Sequence, residues 1–406
     1  MSPTQERPNL LIMVTCGLLT SLVVIAFARM AYGLILPPMR ADLGLSYQQA
    51  GILGTITAFG YLGFVLVGGI AAARFGARLT IVFGLVSVAM GFAGLTMASH
   101  YWLLLALMAL LGFGTAFSFA PMVSLLATWY PEKRGLVIGL MTSGVGLGVL
   151  LTGALVPWMT SLFGNDGWRV SWGIFCAVAV VVAVLITVFA KDPPRLATGS
   201  SGSPPSDDKW LIYRNPRVVT VASVYGIIGV TYIVQAIFMV SFMVEEGHSE
   251  ATAGAFMAMM GLLSIAAGPL WGWMSDHWVR GNSLASAMGL VTLAMGLPLL
   301  DQSLSFFFLH FLIMGLSVNG MFALIQASAT DQVAPRYIPI AFSFVTVFFA
   351  TGQLIGPAVS GWLIEMGGGF RVAFGFTFLV LLVGVYLTLR IRRFPREWAV
   401  GEPQTE

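Results

Sequence analysis

Long apolar runs, broken by short polar or glycine-rich stretches, dominate the chain. A helix needs about 20 predominantly apolar residues to cross a bilayer, and runs of that length recur twelve times. They fall at about 9–38, 47–73, 79–98, 101–128, 135–163 and 169–190, then at 217–244, 250–275, 282–300, 303–330, 337–365 and 370–390. The pattern predicts an all-α membrane protein of twelve transmembrane helices. Between the sixth and seventh runs lies KDPPRLATGSSGSPPSDDKWLIYRNPR, whose Pro, Gly, Ser and charge mark a linker. The expected organisation is a six-helix half at 1–190, a linker at 191–216, a second six-helix half at 217–396 and a tail at 397–406.

The two halves repeat. Gly69 near the end of helix two pairs with Gly272 near the end of helix eight, 203 residues on, and Gly112 in helix four pairs with Gly315 at the same offset. GWRVSW (Gly167–Trp172) opens helix six and GFRVAF (Gly369–Phe374) opens helix twelve, 202 residues later. A parallel repeat of two six-helix halves is a transporter architecture, with the substrate site expected where the halves meet near mid-membrane.

Charge then sets orientation. Lys and Arg concentrate on the cytoplasmic side of membrane proteins. If the N-terminus is cytoplasmic, the inside segments hold Arg7, Arg74, Arg78, Lys133, Arg134, Lys191, Arg195, Lys209, Arg214, Arg217, Arg280, Arg336, Arg390, Arg392, Arg393 and Arg396. Outside lie Arg40, Arg169 and Arg371, and Arg29 is inside a helix. Both termini are therefore expected in the cytoplasm, in a multi-pass protein of a bacterial inner membrane. Only 9% of residues are charged, against about 25% in soluble domains, and the 47 glycines suit close helix packing in lipid.

Other function classes lose support. A net charge of +3 is too small to suggest nucleic acid. Cys16 and Cys176 lie in apolar runs, so neither a disulfide framework nor a metal site is expected. No nucleophile with a base and orienter is visible, nor a phosphate-cradling loop between a strand and a helix, so neither an enzyme nor a cofactor is expected. GVGLG (Gly144–Gly148) lies inside helix five and reads as a packing surface. The start, MSPTQERPN, runs into an apolar stretch longer than a signal h-region, so no cleavable signal is expected.

The segment after helix two, GGIAAARFGAR, is similar to the G-x-x-x-D-R-x-G-R-R signature of the major facilitator superfamily. Gly69, Arg74, Gly76 and Arg78 fit, whereas Ala73 stands at the Asp and Ala77 at the first Arg of the final pair. Its second copy, GWMSDHWVR, keeps Gly272 and Asp276 and ends at Arg280. The resemblance implies that charge pairs in these loops latch the cytoplasmic face, with Arg74, Arg78, Asp276 and Arg280 as the groups involved. It also implies a weakened first latch. WYPEKRGLVIGLMTSGVGLGVLLTGALVPW followed by GWRVSW resembles the monocarboxylate and oxalate–formate porters. FARMAYGLILPPMR and YGIIGVTYIVQAIF resemble the bacterial YbfB/YjiJ-like branch.

Arg29 is the sharpest candidate. It lies about 12 Å along helix one from Pro37, where insertion costs about 2.5–3.5 kcal/mol. All 17 acids fall in loops or near helix ends. Backbone carbonyls, water or an anion must therefore compensate it. A carboxylate fits best, because guanidinium binds it as a bidentate fork. The alternative is an Arg snorkelling to the outer interface. α-Helical spacing puts Ser21, Ile25, Arg29 and Tyr32 on one face, and Tyr225, Tyr232 and Gln235 on one face of helix seven. The resemblance turns helices one, four, seven and ten toward a central cavity, and helix–helix hydrogen bonding is the other use of these groups. In helix ten, Asn319 and Gln326 share a face, which Gln353 of helix eleven would extend. His310 lies about half a turn of the wheel away, as a packing residue or a proton relay.

The expected function is alternating-access transport of a small organic anion, a carboxylate in the favoured case, by symport or antiport. The partners are that anion and the lipid bilayer, and a monomer is expected. Efflux of apolar or drug-like compounds, or a receptor that binds ligand without moving it, are the alternatives.

Overall fold

The computed structural model describes residues 8–130, 133–193, 209–278, 280–333 and 338–394. No strand occurs among them. Most of the linker, the C-terminal tail and Arg7, Arg195, Arg336 and Arg396 lie outside the described residues. Ten helical stretches are long and apolar enough to cross a membrane. Two of them, at 136–189 and 341–391, each hold two successive helices. Twelve spanning helices result: α1 (Leu10–Leu43), α2 (Tyr47–Phe75), α3 (Ala77–Met97), α4 (Tyr101–Trp129), α5 (Arg134–Phe163), α6 (Gly167–Phe189), α7 (Pro216–Glu245), α8 (Glu250–His277), α9 (Arg280–Leu300), α10 (Leu304–Thr330), α11 (Ile338–Leu363) and α12 (Gly369–Ile391).

The helix ends follow from local chemistry. The Asn9 side chain accepts from the Leu11 N–H at 2.9 Å and opens α1. Gly44, at φ 62°, closes α1 in the left-handed conformation that costs glycine least. Ser46 and Gln49 then satisfy each other's backbone N–H in a capping box, and α2 begins. A 3₁₀ turn at Gly164–Asp166 joins α5 to α6. A π turn at Ile364–Gly368 joins α11 to α12.

By contacts the described chain forms two units. One comprises the described residues up to 193 together with Ile237–Leu262, and the other the described residues 209–236 together with those from 263 onward. In the first, α4 lies on α2 and α3, α3 on α6, and α5 on α1. In the second, α9 lies on α10 and α12, which is the α3–α4 and α3–α6 arrangement over again. Smaller contacts repeat too. Arg169 at the start of α6 donates to the Ala98 carbonyl just after α3, at 3.5 Å. Arg371 at the start of α12 donates to Gln302 just after α9.

Apolar side chains face outward along whole helices: Phe83, Val86 and Met90 on α3, Val180, Val184 and Val188 on α6, Leu379, Val383 and Tyr386 on α12. Exposed to water, such stripes would drive aggregation; in a bilayer they are the lipid-facing surface. Gly112 allows the closest approach between α4 and α2. A Cβ there would overlap the Thr57 carbonyl oxygen and lie 2.9 Å from the Tyr61 nitrogen.

Candidate functional site

Helix α1 is not a regular α-helix where its charge sits. Residues Leu22–Met30 wind as a π-helix, with the Ala31 N–H reaching back five residues to the Ala26 carbonyl at 2.8 Å. Such turns are rare and concentrate at functional sites. The neighbours of this stretch fit it. The Thr115 hydroxyl of α4 lies 2.9 Å from the Val24 carbonyl and 2.8 Å from the Leu111 carbonyl of its own helix. On another side α5 lies directly on α1, because Gly144 and Gly148 carry no side chain to hold it off Leu18 and Ala26.

Arg29 is half-buried near the end of the π stretch, with its guanidinium carbon 5.3 Å from the centre of the Tyr61 ring of α2. A guanidinium over an aromatic face keeps its charge at reduced cost. Tyr32 directs its hydroxyl to α2. The Tyr32 side chain is 1% exposed and its hydroxyl donates to the Ala50 carbonyl of α2 at 3.0 Å. The expectation that Tyr32 shares the face of Arg29 assumed α-helical spacing, which the wider π turn alters. Tyr61, which the sequence reading passed over, takes the place beside Arg29. Its only sequence signal is an aromatic with a polar handle among small residues of an apolar helix.

The second unit gathers the remaining candidates into two groups. In one, the Gln326 amide donates to the Tyr225 hydroxyl at 3.1 Å. Tyr225 stacks on Phe349 with centroids 4.4 Å apart, and the Phe322 edge meets Tyr232 at 5.1 Å and Phe349 at 5.6 Å. Asn319, on the same face of α10, donates instead to the Ser264 carbonyl of α8 at 3.0 Å. Asn319 and Gln326 therefore engage α8 and α7 respectively. Gln353 is buried on α11. In the other group, Gln235 meets His310, with 3.5 Å between the amide nitrogen and Nε2. His310 is fully buried, and its Nδ1 lies 2.8 Å from the Ala294 carbonyl of α9. A carbonyl can only accept, so Nδ1 carries the proton and Nε2 accepts from Gln235. Both nitrogens of a neutral ring are thereby used. His310→Gln should lower thermal stability, by loss of this bonding, while leaving any proton dependence of transport in place; disappearance of that dependence in proteoliposomes would instead assign the relay to His310.

The sequence profile of the Major Facilitator Superfamily matches residues 18–297 and 221–405. The chain belongs to this superfamily. Its relatives include the hexuronate transporter of Bacillus subtilis (strain 168), 26% identical over 92% of each chain. Monocarboxylate transporter 11 of Homo sapiens is 24% identical over 89% of this chain and 78% of its own length. A crystal structure of a point mutant of the nucleoside transporter NupG superposes with a TM-score of 0.79, covering 94% of this chain and all of that one, at 12% identity. That last likeness shows the fold alone. As a member of the Major Facilitator Superfamily the chain is a multi-pass membrane transporter of a small molecule, and not an enzyme.

Acids from outside the signature segments stand at both signature loops of this superfamily member. Where Ala73 replaces the signature Asp, the carboxylate comes from Asp192, just beyond α6. Asp192 accepts from the Arg78 backbone N–H at 2.8 Å and so caps the first turn of α3. Gly76, at φ 100°, makes room for it, since a Cβ there would lie 2.6 Å from the Asp192 Oδ2. Arg74 is exposed and lies over the Phe75 ring. In the second loop the Asp276 side chain lies outside the described residues. Arg280 pairs with Asp331, at the end of α10, through Nε and Oδ2 2.5 Å apart. Burial pushes the Asp331 carboxyl above its ordinary value, and the Arg280 charge pulls it back. Gly281 then packs on the Arg392 backbone just past α12, as Gly76 packs on Asp192 just past α6.

Proposed function

We propose that this chain carries a small organic anion, a carboxylate, by alternating access of its two six-helix halves, 1–190 and 217–396, joined by the 191–216 linker. The observation that carries the reading is Arg29: a permanent cation within an apolar span, presented by a π turn and set over the Tyr61 ring. Guanidinium binds carboxylate through two parallel hydrogen bonds, which supplies both affinity and orientation. Two relatives support the anion. Hexuronate and monocarboxylates, which name the transporters similar to this chain, both carry a carboxylate. Tyr225, Tyr232, Asn319, Gln326 and Gln353 are proposed to hold the body of the substrate through ring faces and amides. Arg74, Arg78, Asp276 and Arg280 are proposed to latch the cytoplasmic loops. A thermal-shift screen of the purified protein against mono- and dicarboxylates, amino acids and apolar drugs tests the class. A ligand at 100 times its Kd stabilises by about 2.7 kcal/mol, so carboxylates should raise Tm and the apolar set should not. The reverse ranking would favour apolar efflux.

The proposal places both termini, the linker and the two latch loops in the cytoplasm of a cell with an inner membrane, since the basic residues gather there. Cysteines introduced singly at Ser201 and at Glu246, in a background without Cys16 and Cys176, should react with an impermeant maleimide from opposite sides. Glu246→Cys should label in intact cells and Ser201→Cys only after lysis. Labelling of Ser201→Cys from outside would overturn the orientation.

A further inference from the structure

Helices α5 and α8 meet backbone to backbone within the first unit. A Cβ on Gly153 would lie 2.5 Å from the Gly254 carbonyl oxygen, and one on Gly261 would lie 2.6 Å from the Leu150 nitrogen and 2.8 Å from the Gly146 carbonyl oxygen. Gly254 in turn abuts Pro157. This contact runs to the Gly164 end of α5, where the first residue of α8 is an acid, Glu250.

A first-turn glutamate ordinarily faces water or the free N–H groups of its helix end. Glu250 is half-buried, and one of its carboxyl oxygens does neither. The Ser249 hydroxyl has already taken the Thr252 N–H at 3.1 Å, and the Ser249 carbonyl has taken that of Ala253, also at 3.1 Å. Oε2 of Glu250 is shut off from solvent without a hydrogen-bond partner. The Thr160 side chain of α5 is within bonding reach of the carboxyl. The Thr160 hydroxyl lies 3.1 Å from the Val156 carbonyl, to which it donates. A hydroxyl has a single proton. While Thr160 gives it to Val156, its lone pairs can accept from a carboxylic acid at Glu250, and it is burial that disfavours the carboxylate.

Among the described residues no cation is recorded as pairing with the Glu250 carboxyl. The α5 surface from Thr142 to Phe163 carries no titratable side chain, and neither does α8 from Ala251 to Ser275. Glu245 ends α7, Glu246 and His248 lie in the loop before α8, and the turn after α5 holds Asp166. Glu245 is engaged by the Tyr47 hydroxyl at 2.7 Å, and Arg40 of α1 covers the Tyr47 ring. Arg169 pairs with Asp42 at 3.0 Å and with Asp166 at 3.6 Å. The influences on the Glu250 carboxyl are its burial and Thr160.

We propose that Glu250 is the proton-binding group of this transporter: it holds a proton while the Gly164 end of α5 is packed on the start of α8, and releases it to solvent when these ends part. The proposal rests on the alternating-access reading and adds the coupling ion to it. An unpaired carboxylate buried at the contact would be strongly destabilising, so closure of this end requires the proton and opening removes the requirement. The proton cycle then needs no acid in mid-span.

The test reads helix position without any substrate. Spin labels at Phe163→Cys and Glu246→Cys, in a protein whose two native cysteines are replaced by alanine, report the separation of the two ends by double electron–electron resonance in nanodiscs. Between the pKa values of the open and closed forms, the closed-to-open ratio should fall by up to about tenfold per pH unit. In Glu250→Gln, which mimics the protonated acid, the short distance should persist at every pH, and Glu250→Met should give the same flat response should the amide variant fail to fold. His248→Gln should keep the wild-type response. A wild type whose distances ignore pH, or a Glu250→Gln protein that retains the pH response, would overturn the proposal. Because no substrate enters the measurement, these outcomes leave the carboxylate reading untouched, and a failed carboxylate screen leaves Glu250 untouched.

Discussion

Arg29→Gln should abolish transport of the native substrate and leave the protein as stable as the wild type, or more so. The two halves of this expectation have different causes. Removing a guanidinium fork costs the substrate two charge-assisted hydrogen bonds, each about 1.5–3 kcal/mol. Two of them amount to about 100-fold or more in affinity. The fold itself loses little. A charge within a span is costly to insert, by about 2.5–3.5 kcal/mol on translocon scales, and a neutral amide removes most of that cost. Against it stands the contact with the Tyr61 ring, which a cation over an aromatic makes worth roughly 0.5–2 kcal/mol. Uptake into cells and the Tm of purified protein, measured on the same variant, separate the two. Wild-type uptake in Arg29→Gln would end the carboxylate reading, whereas loss of uptake with a collapsed Tm would make Arg29 a structural residue. Arg29→Lys is the sharper control. It keeps the charge but presents a point ammonium instead of a planar fork, so it too should fail.

Arg29 also shows what the sequence can and cannot convey. The twelve spans were legible because a bilayer imposes a minimum apolar length. The repeat was legible because Gly112 and Gly315, or Arg169 and Arg371, recur at nearly one offset, and the structure uses the second pair alike in both units. The presence of Arg29 inside a spanning helix was legible from its place in an apolar run. Its companions were not. Tyr32 was assigned by a regular helical wheel, and the π turn at Leu22–Met30 is not written in that periodicity. Gln235 was grouped with Tyr225 and Tyr232 by the same wheel, yet it meets His310 on another helix.

The acids were harder still. Asp192 stands 119 positions beyond the signature Asp that Ala73 replaces, and only the fold brings the end of α6 beside the start of α3. Glu250 lies near a helix end, as every acid was expected to do, but proximity to an end does not distinguish a carboxylate in water from one pressed against α5. In a lipid-facing helix, apolar residues point both to the core and outward. The polarity contrast that reveals a buried face in soluble proteins is therefore missing, and side-chain partners stay hidden until the helices are packed.

Gly112→Ala should cost more stability than any single polar substitution proposed above, and should weaken transport as well. The added methyl group overlaps the Thr57 carbonyl oxygen, which is backbone and cannot rotate away. Helix α4 must therefore move off α2. Forcing extra volume into a close-packed contact costs about 1–3 kcal/mol, and here the strain falls on two long helices that share most of their length. A drop of several degrees in Tm and a lower yield of folded protein are expected. The functional consequence follows from what lies next to Thr57. The same added atom would sit 2.9 Å from the Tyr61 nitrogen, and the Tyr61 ring is the surface beneath Arg29. Shifting α2 displaces that ring, so the fraction of Gly112→Ala protein that folds should bind substrate less tightly. Tyr61→Leu provides the comparison, because it removes the ring without moving the helix. If Arg29 depends on Tyr61 for its position, both variants should raise the apparent KM, and only Gly112→Ala should lower Tm strongly. A Gly112→Ala protein with wild-type Tm would show that α2 and α4 are not held as closely as the missing side chain implies.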